Sequence, residues 1–259
     1  MTMTFSTRII RLIRNIPFIV AAVGLGVMGS AQAADDVKED FFTWAGFEMT
    51  TGIPAAHPAL ENFRFKLFMQ GRFGDNSSHF SQGLIRTGAG YVVNEKMTVW
   101  LGYDWVPTSR PIALRHPFND HALWQQLSLQ ERFPFGTVIS RTRFEQHFFD
   151  IPGSTDTAQL FRQMVKLTAP LPELLNRLNP LSTKLSLIVW NEIFANMNST
   201  DAGTRSGFNQ NRAFVGIGYP LSKAKLLEIG YMNQYINRPH NPRPDQMLHV
   251  LSVTLLMNF

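Results

Sequence analysis

The chain holds 259 residues and no cysteine, which excludes a disulfide framework and any thiol chemistry. Its formal net charge is +5, but Arg8, Arg11 and Arg14 fall within the first 33 residues, which contain no acid, and setting those three aside leaves +2. A surplus that small argues against nucleic acid or an anionic surface as partner.

The first element is a basic stretch, "MTMTFSTRIIRLIRN", followed by the apolar run "IPFIVAAVGLGVMG" and the small-residue site Ala31-Gln32-Ala33. This is the pattern of a cleaved secretory signal peptide over residues 1–33, leaving a single mature domain over 34–259. The rival, an anchoring helix, fits less well: the run is short, contains Pro17, and is followed by "AQAADD" without stop-transfer basic residues. No later stretch approaches the ~18 consecutive apolar residues of a spanning helix. The one short helical pattern is "PELLNRL", residues 172–178.

The rest reads as strands, predicted near 41–49, 62–72, 82–93, 96–106, 121–133, 137–149, 158–169, 183–195, 209–219, 225–237 and 248–259. Short connections ("NEK", "PFG", "PLSKA") mostly take turns with long ones ("PTSRPIALRHPFND", "DIPGSTDT", "NMNSTDAGTRSGF", "NRPHNPRPDQ"), as in a barrel with short turns at one end and long loops at the other. Within strands the faces separate. Phe63, Phe65, Leu67 and Met69 oppose Arg64, Lys66, Gln70 and Arg72; Phe161, Val165 and Leu167 oppose Arg162, Met164 and Lys166. Aromatic residues mark the ends of the apolar faces: Trp44, Tyr91, Tyr103, Trp105, Phe133, Tyr219, Tyr231 and Tyr235. The expected fold is all-β, an antiparallel up-and-down transmembrane β-barrel with outer-membrane lipid around it. A soluble sandwich with its apolar faces inward accounts for the alternation equally well, but not for the signal pattern and the two classes of loop.

If the apolar faces point out, the lumen carries Arg64, Lys66, Arg72, Arg86, Arg132, Arg141, Arg143, Arg162, Lys166, Lys184 and Arg212, against Asp104, Glu145, Glu192 and Glu228. In "SRTRFEQH", Arg141, Arg143, Glu145 and His147 all share one face. Two uses of this mainly basic lumen are open. One is a small channel or solute-binding barrel favouring small anionic solutes. The other is a non-conducting structural or adhesive barrel, plugged by a salt-bridged network that includes Gln126, Gln130 and Gln234.

Several stretches resemble an uncharacterised bacterial outer-membrane family, domain of unknown function 2490. They are "FFTWAGFEM", "LWQQLSLQERFPFGTVISRTRFEQHF", "VWNEIFANM" and, most specifically, "FNQNRAFVGIGYPLSKAKLLEIGYMNQY". The resemblance runs over most of the mature chain and implies an outer-membrane barrel with no assigned reaction and no cofactor. The Pro-rich loop 107–120 and "PLPELLNRLNP" depart from it.

An outer-membrane lipid hydrolase is the weaker alternative. It needs a nucleophile beside an oriented base, yet there is no GxSxG, His249 and Asp245 stand about 13 Å apart along a strand, and Ser252 falls on the face opposite His249. His116, His121 and His240 match no metal-site spacing, so no metal is expected. Gly216, Gly218 and Gly230 form no nucleotide fingerprint; they are places where wall or lumen groups approach closely.

Eleven readable strands conflict with the even number usual in bacterial barrels. Twelve strands are favoured over ten, with a missed strand sought in 51–61 or 170–182. In the last segment, "HVLSVTLLMNF", Leu251, Val253, Leu255, Met257 and Phe259 share the lipid face. Leu255, Met257 and Phe259 resemble the carboxy-terminal signal read by the barrel-assembly machinery, the expected protein partner.

Overall fold

The structure, a computed structural model, describes residues 37–52, 60–112, 116–171, 185–238 and 244–259. The predicted signal segment 1–33, the helical piece 172–178, Lys184 and His240 lie outside the described residues.

All eleven predicted strands form: β1 (Lys38–Gly52), β2 (Phe63–Gly74), β3 (His79–Asn94), β4 (Met97–Thr108), β5 (Phe118–Phe133), β6 (Gly136–Phe149), β7 (Ala158–Pro170), β8 (Ser186–Asn196), β9 (Gly207–Ser222), β10 (Lys225–Ile236) and β11 (Gln246–Asn258). They close in sequence order into one barrel. Closure saturates backbone groups that an open sheet would leave at its edges.

The expectation of an even count is overturned. An odd-numbered meander brings its first and last strands to the seam pointing the same way, so they can pair only in parallel. β1 and β11 do so, in register from Lys38↔Gln246 to Thr50↔Asn258, while every other neighbouring pair is antiparallel. β1 is therefore a wall strand, and its direct pairing with β11 leaves no gap for a twelfth.

The two-residue turns at Glu95–Lys96, Pro134–Phe135 and Lys223–Ala224 gather at one end, together with Phe259, whose amide donates to the Thr50 carbonyl at 2.9 Å. Between other strands, the described residues 109–112 and 116–117, 150–157, 197–206, and 237–238 with 244–245, lie at the other end. β1 starts at that long-loop end, where the Lys38 amide donates to Asp245 O at 2.9 Å. Beside it Asp40 accepts the Asn76 amide at 3.0 Å, holding the β2–β3 turn in which Asp75, Asn76 and Ser77 take positive φ.

The faces sort as the alternation predicts. Phe65, Met69, Val99, Leu101, Leu123, Val215, Ile217, Ile229 and Leu251 are exposed on the outside. Tyr103, Trp105, Phe80, Phe148, Phe208 and Tyr231 are exposed toward the long-loop end, and Tyr91, Phe133 and Phe135 toward the short-turn end. Buried inside are Arg86, Asp104, Gln126, Arg143, Glu145, Arg162, Glu192 and Glu228. The soluble-sandwich reading fails on this point, because it requires the charged faces outside. Trp44 corrects the list of girdle aromatics: it is inward and 5% exposed.

The interior is packed as well as charged. Phe42, Trp44, Ile188, Phe214, Met232, Leu248 and Val250 form one apolar cluster on the β8–β1 side. Trp124 fills the opposite side over Gly88 and Gly102, where a Cβ would fall within 2.5 Å and 2.2 Å of its ring. Phe214 uses the space above Gly216 and Gly230 in the same way.

Candidate functional site

Strict alternation along β6 delivers Arg141, Arg143, Glu145 and His147 to the lumen, and Glu145 becomes the hub of the site. Its carboxylate lies 2.7 Å from Arg162 Nη1, 3.3 Å from Arg143 Nη1 and 3.5 Å from Arg86 Nη2, while its other oxygen meets His147 Nε2 at 3.1 Å. Arg86 forks onto Asp104, its β4 neighbour in register. His147 Nδ1 reaches Asp120 at 2.9 Å. A second carboxylate, Glu192, binds Arg141 at 2.8 Å and Arg162 at 2.9 Å. Toward the short-turn end, Lys166 pairs with Glu228 at 2.5 Å and Lys66 with Glu48 at 2.8 Å. The centre of the network is buried: Glu145 is 1% exposed, and Arg143 and Glu192 are each 2% exposed. Their mutual pairing offsets a desolvation cost of several kcal/mol per ion. Aromatic faces add cation–π contact, with Arg143 4.6 Å from the Trp124 ring centre and Arg162 4.3 Å from that of Phe194.

Twelve of the predicted lumenal residues, Lys66, Arg72, Arg86, Asp104, Arg141, Arg143, Glu145, Arg162, Lys166, Glu192, Arg212 and Glu228, do meet around one cavity of about 630 Å³ or in the network beside it. Two do not. Arg64 sits at the β2 rim and donates to the Glu61 and Phe63 carbonyls, and Arg132 is exposed at the end of β5. Their parity is inward, but both lie beyond the level at which the barrel encloses side chains. Glu48 and Asp120 were missed as lumenal acids. Glu48 shares the inward face of β1 with Phe42 and Trp44, so charge did not mark that face; Asp120 precedes the predicted start of its strand. With them the strands carry six lumenal carboxylates against eight lumenal Lys and Arg side chains, a nearer balance than the sequence suggested.

On the outer wall, His249 is hydrogen-bonded to the Tyr231 hydroxyl at 2.6 Å and stacked on its ring, and His121 has the same relation to Tyr103 at 2.5 Å. Ser252 lines the cavity, so it and His249 do occupy opposite faces.

The long loops are fastened to each other. Asp201 accepts from Ser154 Oγ at 2.7 Å and the Thr155 amide at 2.8 Å, and its own amide donates to Asp156 at 2.9 Å. The Thr155 amide, then the Ser154 hydroxyl, hold the Asp201 carboxyl below its ordinary value. A depressed folded pKa contributes stability that is full above the unfolded pKa and lost as pH falls through the folded one. Protection factors of the Thr155 and Asp156 amides are expected to fall on acidification below the ordinary aspartate range. Asp201→Asn should already show the low values at neutral pH.

Comparison with known proteins adds the family. The crystal structure of the siderophore receptor PirA from Pseudomonas aeruginosa matches 67% of this chain at 12% identity and a TM-score of 0.34, and the chain spans 32% of that receptor. An uncharacterized protein of Methylorubrum extorquens is 29% identical over 197 residues, which is 74% of this chain and 78% of that protein. Residues 42–245, from the inward Phe42 of β1 to Asp245 just before β11, match the model described as "Protein of unknown function (DUF2490)". A match that runs from β1 through β10 and takes in the charged lumenal side chains makes this chain a member of the DUF2490 family.

Proposed function

We propose that the protein is an exported β-barrel of the bacterial outer membrane, and that its lumen is closed to free ion flow and binds small anionic solutes. The outward belt supports the membrane. From Met97 to Trp105, β4 offers apolar side chains over about 27 Å of strand, or about 20 Å of height at the tilt of a barrel, near the band a bilayer requires. A belt of that extent in water would drive aggregation. On this reading Leu255, Met257 and Phe259, on the outward face of the last segment, are offered to the assembly machinery.

The observation that carries the closed lumen is a set of ion pairs between strands that are not neighbours. Arg86 on β3 meets Glu145 on β6, Arg141 on β6 meets Glu192 on β8, and Lys166 on β7 meets Glu228 on β10. Such pairs run as chords across the lumen rather than along its wall. A passing ion must break them, and breaking a buried pair costs about 3–5 kcal/mol. The cavity beside them is lined by charged side chains, and the strands around it and the network carry two more Lys and Arg than carboxylates, which favours anions.

The purified full chain in a planar bilayer is expected to show no step conductance. Regular anion-selective steps would overturn the closed lumen in favour of a channel. In cells, the protein should stay with the membranes through an alkaline carbonate wash, and its release would overturn the membrane-spanning reading. A barrel that neither conducts nor binds a small anion would return the structural or adhesive role to first place.

A further inference from the structure

Of the eight Lys and Arg side chains that the strands carry into the lumen, six hold a carboxylate. Arg72 and Arg212 make no ion pair among the described residues, and both lie against the same indole. Arg72 stands opposite Trp44 in the β1–β2 register, with its guanidinium carbon 4.0 Å from the ring centre. Arg212 comes from β9, three strands away around the wall, and approaches that ring to 5.0 Å.

Their hydrogen bonding is as unusual as their company. Arg72 directs Nε to Gln70 Oε1 at 2.9 Å and Nη1 to Gln82 Oε1 at 2.5 Å, both neutral acceptors. Arg212 donates no hydrogen bond to any described residue, and its Nε is buried without an acceptor. Trp44 Nε1 is buried and unpartnered as well. Glu192 faces Arg212 in the β8–β9 register, yet its carboxylate is turned to Arg141 and Arg162. Ring contact alone does not satisfy a guanidinium; its planar fork of donors matches carboxylate and phosphate oxygens. All three side chains line the cavity, whose walls run to Thr50, Lys96 and Asn258 near the short-turn end.

We infer that Arg72, Arg212 and the Trp44 indole N–H form the recognition point for a compact oxyanion, the carboxylate or phosphate group of a small solute. This rests on the reading that the lumen binds solutes, and it assigns the charge-bearing end of the ligand to one place in it.

The test uses the full chain folded in detergent, titrated calorimetrically with inorganic phosphate and, separately, with succinate, at constant ionic strength set by sodium chloride. Saturable binding of at least one is expected. Binding of phosphate alone assigns a phosphate group, and binding of succinate alone a carboxylate. Arg212→Met should weaken binding by about tenfold or more, Arg212→Lys by less, and Lys225→Met, at an exposed position where β10 begins and away from the cavity lining, not at all. No binding of either anion overturns the inference. So does equal binding by wild type and Arg212→Met, which would leave Arg212 a packing cation. If Arg212→Met fails to fold, Arg212→Lys and Arg72→Gln carry the comparison, and unchanged binding in both overturns the site. Conductance of the same preparation separates the two levels. A conducting protein whose anion binding still depends on Arg212 loses the closed lumen and keeps this site. A silent one that binds an anion independently of Arg212 loses the site alone, and a silent one that binds neither loses the solute binding with it and keeps only the closed lumen.

Discussion

Glu145→Leu is expected to destabilise the barrel by about 3–5 kcal/mol, the cost of leaving buried charges without their partner. Arg162, Arg143, Arg86 and His147 all converge on this carboxylate, and the three arginines are buried: Arg143 is 2%, Arg162 7% and Arg86 8% exposed. Glu145→Gln should cost less, because its amide oxygen still accepts from Arg162. Adding Arg162→Met to Glu145→Leu should recover part of the loss, since the pair is removed together and a double-mutant cycle reports the coupling. Urea unfolding in detergent or lipid measures all three. A cost below about 1 kcal/mol for Glu145→Leu would mean that the network is not the plug described here.

Gly102→Val should be the most damaging change to the packed part of the interior. A Cβ at Gly102 falls 2.2 Å from Trp124 Cζ2 and 2.2 Å from the Thr87 carbonyl oxygen, so neither the ring nor the neighbouring strand can yield easily. Trp124 is fully buried and supports Arg143 on its face. Overpacking of this kind costs about 1–3 kcal/mol, and a branched side chain against backbone belongs at the upper end. Loss of near-ultraviolet circular dichroism together with a lowered unfolding midpoint would record the displaced ring. Trp124→Leu in the same chain should restore part of the midpoint by vacating the space.

Most of the wall was legible because a strand repeats every two residues, and each strand declares its own faces. Leu101, Tyr103 and Trp105 could be assigned outward from β4 alone. What the period does not contain is the relation between strands. Nothing local in β1 says whether it meets β11 parallel or antiparallel, so strand number had to be argued from a rule that this barrel breaks. The inward face of β1 misled for a related reason. Phe42 and Trp44 are as apolar as the outward Phe41 and Phe47, and only closure across the lumen shows that Arg72 and Arg212 need that indole. The pairing of Arg141 with Glu192, or Lys166 with Glu228, is likewise set by how strands face one another over the lumen. Composition could find the charges; it could not say which of them cancel.

The parallel seam has a consequence for how the molecule is oriented and made. In a barrel with an even number of strands, both termini emerge on the same side. Here β1 begins at the long-loop end and β11 finishes at the short-turn end. Lys38 and Asn258 therefore stand at opposite mouths, and reporters joined beside them would face different compartments across a bilayer. The seam also couples the first strand to the last, from Lys38 with Gln246 to Thr50 with Asn258. Such distant partners cannot begin to zip until β11 is available, so closure of the wall waits for that strand.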